Sequence, residues 1–285
     1  MTTTTAAAAD IGVPRAIDPT GVHVSPAAVF LALLRRDAYV LLHNLGEFIP
    51  RTVLQPLLLV FVFTRVFPEI GQGFGGGSEA ASAFSTLLAA GVIGSVILFQ
   101  GIQAVALPLV QEFGYTKEIE DRILAPLRVE WVAVAKVASG AVQCVLAAIV
   151  VFPIARFVPA TAVHLTFNWP VVLTMIPLAC VMAAALGLTF GTAFEPRTVP
   201  LLFGVVIVPL TFLGCIYFTW QQLAAIRWLQ ILVLANPLVY ISEGLRAALT
   251  PVGTMNLAAI YGVMAAFTAL FLALGIRGFR KRVLV

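Results

Sequence analysis

The chain has 285 residues, of which 61% are hydrophobic and 11% charged. A soluble domain carries roughly 25% charged residues to coat its surface. With a mean hydropathy of +1.03, this composition excludes a soluble enzyme and leaves a chain whose solvent is mostly lipid. The net charge of +4 is small, so the placement of the basic residues matters more than their excess.

The opening MTTTTAAAAD has no basic n-region and no apolar stretch behind it. It reads as a polar tail over residues 1–24, with Pro14, Pro19 and Gly21 as breakers, rather than as a secretory signal. Ser25-Pro26 then supplies a helix start, a capping hydroxyl followed by proline at the first helical position. In the sequence AAVFLALLRRDAYVLLHNLGEF, Arg36, His43, Asn44 and Glu47 fall near one face, and Phe30, Leu33, Leu34, Leu41 and Leu45 dominate the rest. The pattern predicts an amphipathic helix from Ser25 to Phe48 lying on the membrane surface.

A bilayer core of about 30 Å takes about 20 apolar residues in a helix. The first such stretch is bracketed by Arg51 and Arg65 and reaches full length when extended from Leu45 to Phe67. Both arginines are then expected near opposite interfaces, where long side chains snorkel to water. Charge-free runs follow from Ala80 to Gln111, Val137 to Ala155, Phe167 to Phe194, Thr198 to Ile226 and Ala247 to Ile276. The expected fold class is an all-α membrane protein with six transmembrane helices, forming a single domain over residues 25–282. An even number of spans puts both termini on one side. Of the 17 lysines and arginines, all but Arg65, Arg156, Arg227 and Arg246 fall on that side. The positive-inside rule makes it the cytoplasmic one.

Two segments are neither plain spans nor plain loops. QEFGYTKEIEDRILAPLRVEW, between the second and third spans, concentrates charge and repeats Ile119, Ile123 and Leu124 at helical spacing until Pro126. It reads as a short amphipathic cytoplasmic helix held between two membrane helices, with a solvated connector as the alternative. On the other side, Tyr217 to Ala248 is apolar yet interrupted by Arg227 and by Asn236-Pro237. Two short helices dipping into the outer leaflet, with the turn at Asn236-Pro237, fit that pattern. Irregular backbone at such depth needs protein or water around it.

The remaining motifs exclude more than they assign. Gly71 to Gly76 matches GxGxxG but follows a membrane helix rather than a strand, so it is an exterior loop and not a nucleotide site. Lys117, Lys136 and Lys281 are the only lysines, and none belongs to a GxxxxGK[ST] loop. Cys144, Cys180 and Cys215 are scattered through apolar runs, as are His23, His43 and His164 through the chain, which gives no metal or redox spacing. No ionisable residue falls within the central charge-free runs, which argues against an ion-driven carrier. Gln100, Gln103, Gln111 and Gln143 are the polar groups there, suited to lining a path or to hydrogen bonds between helices. Gly187 and Gly191 form a GxxxG pattern suited to close helix packing.

This order of parts resembles the membrane (permease) subunit of type-2 ABC exporters, the drug and polysaccharide export group, over roughly residues 25–282. Glu112, Gly114, Thr116, Glu118, Leu124 and Pro126 match an acidic-Gly-Thr-x-Glu…Leu-x-x-Pro pattern, with Tyr115 inserted and one residue rather than two before the proline. Asn236, Pro237, Glu243, Gly244 and Arg246 match an NP…EG-x-R signature before the last span. The resemblance implies that the helix from about Thr116 to Ala125, with Glu118 and Arg122 on it, is a coupling helix that acts with the surface helix from Ser25 to Phe48. It would receive the motion of a separate cytoplasmic ABC ATPase, which binds ATP and magnesium. It also implies pairing with a second permease copy, residence in a bacterial inner membrane, contact with lipid and none with nucleic acid, and no cofactor on this chain. The substrate would be a hydrophobic or amphipathic drug, lipid or lipid-linked glycan. An ion-coupled carrier, an intramembrane enzyme and a structural subunit are the alternatives.

Overall fold

The computed structural model describes residues 26–70, 78–113, 129–194, 198 and 203–283, and every regular element among them is helical. Helix α1 runs Pro26–His43, α2 Leu45–Phe61, α3 Ser78–Gln111, α4 Val129–Phe157 and α5 Trp169–Ala193. The short α6, Val208–Phe212, follows a π-helical turn at Phe203–Ile207. Then come α7 (Arg227–Leu232), α8 (Pro237–Leu249) and α9 (Leu257–Val283). The expected tail over 1–24, the glycine loop at 71–76 and the charged segment from Gly114 to Pro126 lie outside the described residues.

Five helices among the described residues are long and apolar enough to cross a bilayer: Leu45–Glu69, Glu79–Gln111, Glu130–Phe157, Trp169–Ala193 and Leu257–Val283. The first continues from α2 through a π-helical turn at Val62–Val66, where the Thr64 hydroxyl donates to the Val60 carbonyl at 2.7 Å. Prolines inside α2, α3, α4 and α5 (Pro56, Pro108, Pro153 and Pro177 among them) do not end these helices. Membrane helices accommodate proline where neighbouring helices, side chains or water can satisfy the freed carbonyl. The protein is a multi-pass membrane protein.

Helix α3 sits at the centre, packed on α4, α5 and α8, and α5 in turn carries α9. The apolar windows of α3 and α5 are 78% and 67% buried, against 17% for the first and last spans. No hydrophobic force drives helices together in lipid, so close backbone approach must hold the centre. Small residues provide it. A Cβ on Gly187 would stand 2.6 Å from the Gly101 carbonyl oxygen, and one on Gly191 would stand 3.0 Å from the Ala106 Cα. The GxxxG pattern is thus the seam between α5 and α3. On the other side of α5, Gly278 of α9 faces the Thr192 hydroxyl, which a Cβ would meet at 2.6 Å.

Three expectations change. The Thr198 to Ile226 run is not one long helix: its described part is helical from Phe203 to Phe212, turns at Leu213–Phe218 and becomes a 3-10 helix at Trp220–Ala225. The reason is local and tertiary together. Cys215 adopts a positive φ of 53°, and the carbonyls beyond it are claimed by a side chain from α8, described below. The surface helix expected from Ser25 to Phe48 breaks at Asn44, so α1 and α2 are separate. And the long helices outrun the charge-free runs that announced them: α4 begins at Val129 and so includes Lys136.

Candidate functional site

Two polar constructions stand out from the apolar bundle. The first is a cavity of about 410 Å³ between α1, α2, α3 and α4. Its wall follows helical periodicity. Gln100, Gln103, Ala104, Leu107 and Gln111 form one stripe of α3, and Lys136, Ser139 and Gln143 one stripe of α4. Helix α2 adds Glu47, Phe48 and Arg51, and α1 adds Arg36, Asp37 and Val40. All four glutamines noted in the sequence therefore meet in one place. Of these, only Gln103 bonds another side chain among the described residues, accepting from Arg51 Nε at 3.0 Å and from its Nη2. Arg51, expected to snorkel to an interface, instead reaches across to α3.

At one end of this cavity the Lys136 ammonium donates to Glu112 Oε1 at 2.5 Å, and both residues are buried. Lys136 flanks the charge-free run that begins at Val137, so composition alone leaves it outside the span. Only the folded packing of α3 on α4 brings it to Glu112, 24 positions away. Lys136→Met is expected to cost about 1–3 kcal/mol, the desolvation of a buried carboxylate that loses its cation. The thermal midpoint of the purified protein measures this, and an unchanged midpoint would refute it.

The same end is tied to the last helix. Phe113 meets Phe279 edge-on at 5.7 Å, with the Arg282 guanidinium 5.5 Å over the Phe113 ring. Arg282 also donates to the Phe194 carbonyl at 2.8 Å, and Arg280 lies 3.9 Å from Glu130. Residues 112–113 and 130, which flank the charged segment, are thus held to α4 and α9. Gly114, Thr116, Glu118, Arg122, Leu124 and Pro126 themselves lie outside the described residues.

The second construction lies at α8. The α7 segment Arg227–Ala235 and Pro237–Leu249 meet at 96°, with the break at Asn236. Its side chain caps α8 by accepting from Leu238 N–H at 2.9 Å, while its Nδ2 donates to the Leu210 carbonyl at 2.7 Å. Pro237 takes the first helical position, where a missing N–H costs nothing. About two and three turns on, Glu243 and Arg246 have no exposure at all. Arg246 Nη1 donates to Glu243 Oε1 at 2.9 Å, and Nη2 donates to the carbonyls of Cys215 and of Ile216, the latter at 3.1 Å. Glu243 accepts from the backbone N–H of Trp220 at 3.0 Å and of Met255 at 3.3 Å. Gly244 leaves room for Met175 of α5, whose sulfur a Cβ would meet at 2.6 Å. Every residue of the NP…EG-x-R set therefore serves one junction, which joins α6, the 3-10 turn, α8 and the approach to α9. Of this signature, Glu243 and Arg246 are, with Ser242, the most deeply buried polar residues among those described.

The comparison with protein families decides among the readings of these parts. The family model of the ABC-2 type transporter matches residues 28–250, most of the chain. The chain belongs to the ABC-2 type transporters and is a permease subunit of an ABC transporter. A search of curated proteins finds no match. The matched span of the permease includes both constructions: the cavity from Arg36 to Gln143 and the junction from Leu210 to Arg246. The ABC-2 family to which the permease belongs consists of transport membrane subunits. None of the described His, Cys, Asp and Glu residues group as metal ligands.

Proposed function

We propose that this permease exports a hydrophobic or amphipathic substrate (drug, lipid or lipid-linked glycan) from the cytoplasm or inner leaflet, driven by a separate ABC ATPase. ATP and magnesium sit on that partner. The observation that carries the reading is the anchoring of both ends of segment 114–128. Glu112 and Phe113 tie its start to α4 and α9, and Glu130 faces Arg280 at its close. A push on a segment fixed at both ends goes into α3, α4 and α9 rather than being lost in a slack loop. That is what a coupling helix from about Thr116 to Ala125 requires, with Glu112, Gly114, Glu118, Arg122, Leu124 and Pro126 as its contact set.

The rest of the reading follows from topology and surface. Both termini are cytoplasmic, in a bacterial inner membrane, because the basic residues collect on that side. Helix α1, with Leu31, Tyr39 and Leu42 exposed, lies on the membrane surface. The bent α7–α8 pair is a re-entrant segment in the outer leaflet, its irregular backbone satisfied by Glu243, Arg246 and Asn236 as backbone at membrane depth must be. The first and last spans leave most of their apolar surface uncovered, which suits lipid and a second permease copy. An ion-coupled carrier is less well supported: the buried carboxylates Glu112 and Glu243 are both ion-paired.

Co-purification from the native membrane tests the reading. An ABC ATPase should be retained in stoichiometric amount, and a permease that transports without one would overturn it. In the reconstituted complex, Glu118→Arg should abolish substrate-stimulated ATP hydrolysis while protein level and thermal midpoint stay unchanged. Full stimulation by that variant would remove Glu118 from the coupling set.

A further inference from the structure

Apart from Glu112 and Lys136 at one end, neither the coupling segment nor the α8 junction uses the four-helix cavity. Its size, about 410 Å³, is that of a small-molecule site. The side chains of Gln100, Gln111 and Gln143 line it without a hydrogen bond to any other described residue. In the same wall Pro108 has no N–H to give, so the Ala104 carbonyl four residues earlier lacks its helical donor.

A second, smaller chamber of about 30 Å³ adjoins the first, sharing Arg51, Gln100 and Gln103 and adding Thr52, Gln55 and Ser95. Thr52 is 6% exposed and its hydroxyl has no partner among the described residues. Pro56 frees the Thr52 carbonyl in the same way that Pro108 frees that of Ala104. This chamber has room for little more than water. Polar atoms left this way within a membrane bundle are costly unless water or a ligand satisfies them.

The charges of the larger cavity balance: Arg36, Arg51 and Lys136 stand against Asp37, Glu47 and Glu112. No net field selects an anion or a cation. What remains is a set of carboxamides and carbonyls, and carboxamides both donate and accept. Hydroxyl and amide groups are what such a wall recognises. Helices α1 and α2, which help to line it, also expose Leu42, Leu54 and Leu58, apolar surface for an alkyl chain.

We propose that this cavity receives the uncharged, hydroxyl-rich headgroup of an amphiphile, and that the Arg51–Gln103 pair is its inner gate. A headgroup that takes Gln103 from Arg51 opens the way to Thr52, Gln55 and Ser95. The inference narrows the substrate class of the export reading and rests on it for the direction of travel.

The test uses the full-length permease, without ATPase, in phosphatidylcholine nanodiscs. A diazirine-bearing octyl glucoside is compared with probes of the same chain carrying trimethylammonium or phosphate. The glucoside probe should label the peptides around residues 51–55 and 100–103. Gln100→Leu combined with Gln143→Leu should cut that labelling about tenfold, equivalent to one or two lost hydrogen bonds. Labelling outside the cavity, labelling unchanged in the double variant, or stronger labelling by either charged probe would each overturn the inference. The map on the unmutated protein decides by itself if the double variant does not fold. Because no ATPase is present, failed labelling leaves the export reading standing, and failed ATPase association leaves the headgroup site standing.

Discussion

Arg246→Met is expected to lower the unfolding midpoint of the purified permease by on the order of 10 °C and to reduce its yield sharply. The guanidinium is fully buried and serves three acceptors at once: the Glu243 carboxylate and the carbonyls of Cys215 and Ile216. Removing it strands a buried negative charge, which costs about 3–5 kcal/mol, and leaves two carbonyls without a donor. Lysine should rescue poorly, because a single ammonium on a flexible stem cannot reproduce a planar fork that serves acceptors on both sides. Adding Glu243→Gln to Arg246→Met should recover part of the loss, because the orphaned charge goes with it. A double-mutant cycle would then show a coupling of about 1 kcal/mol or more. A midpoint for Arg246→Met within a degree or two of the parent would show that the junction does not hold α6, the 3-10 turn and α8 together.

The second large effect is expected at the seam of α3 and α5. An alanine Cβ at position 187 would stand 2.6 Å from the Gly101 carbonyl oxygen and 3.0 Å from the Ile102 Cα. These are backbone atoms, so no rotamer can move them aside, and the helices must separate. Overpacking of this kind costs about 1–3 kcal/mol, and Gly187→Leu should exceed that range and prevent assembly of the bundle. Gly101→Ala should behave alike, since its Cβ would meet the Ala183 Cβ at 2.5 Å and the Ala183 backbone at 2.6 Å. Gly46→Ala is the control. Nothing lies within 4 Å of its Cβ, and it should be neutral or gain up to about 1 kcal/mol from helix propensity. Detergent-solubilised melting curves of the four variants measure all of this. Equal midpoints for Gly46→Ala and Gly187→Leu would refute the seam.

The two effects differ in kind. At the seam the interaction is backbone against backbone, and the bundle exists because those positions carry no side chain. At the junction it is ionic, and it exists because the chain there is not helical. The turn after Phe212 leaves the carbonyls of Gly214, Cys215 and Ile216 without helical donors. Ser242 and Arg246 of α8 supply them, the first at 2.9 Å to Gly214. The C-terminal carbonyls of α8 are covered in turn by the N–H groups of Asn168 and Thr166, at 2.9 and 3.0 Å. The carbonyls exposed by the bend therefore find donors in neighbouring elements, and the polar residues interrupting an apolar run supply part of them.

Much of this was readable along the chain. Apolar runs near the length of a bilayer located α3, α4, α5 and α9, because lipid imposes one requirement on every turn of a spanning helix. Asn236-Pro237 placed the bend, because a capping side chain and a proline without an N–H act within a few residues of themselves. Other features depended on neighbours the sequence does not order. Thr198 to Ile226 looked like a span because its composition is apolar, but a polar side chain 30 residues on claims its carbonyls. Lys136 looked like a loop cation until α3 placed Glu112 beside it. The glutamines of α3 and α4 were visible one by one. That they face one another across a cavity, with Arg51 turned inward, was decided by the rotation of four helices about their axes. Composition fixes that a segment enters the membrane; contact between faces fixes what it does there.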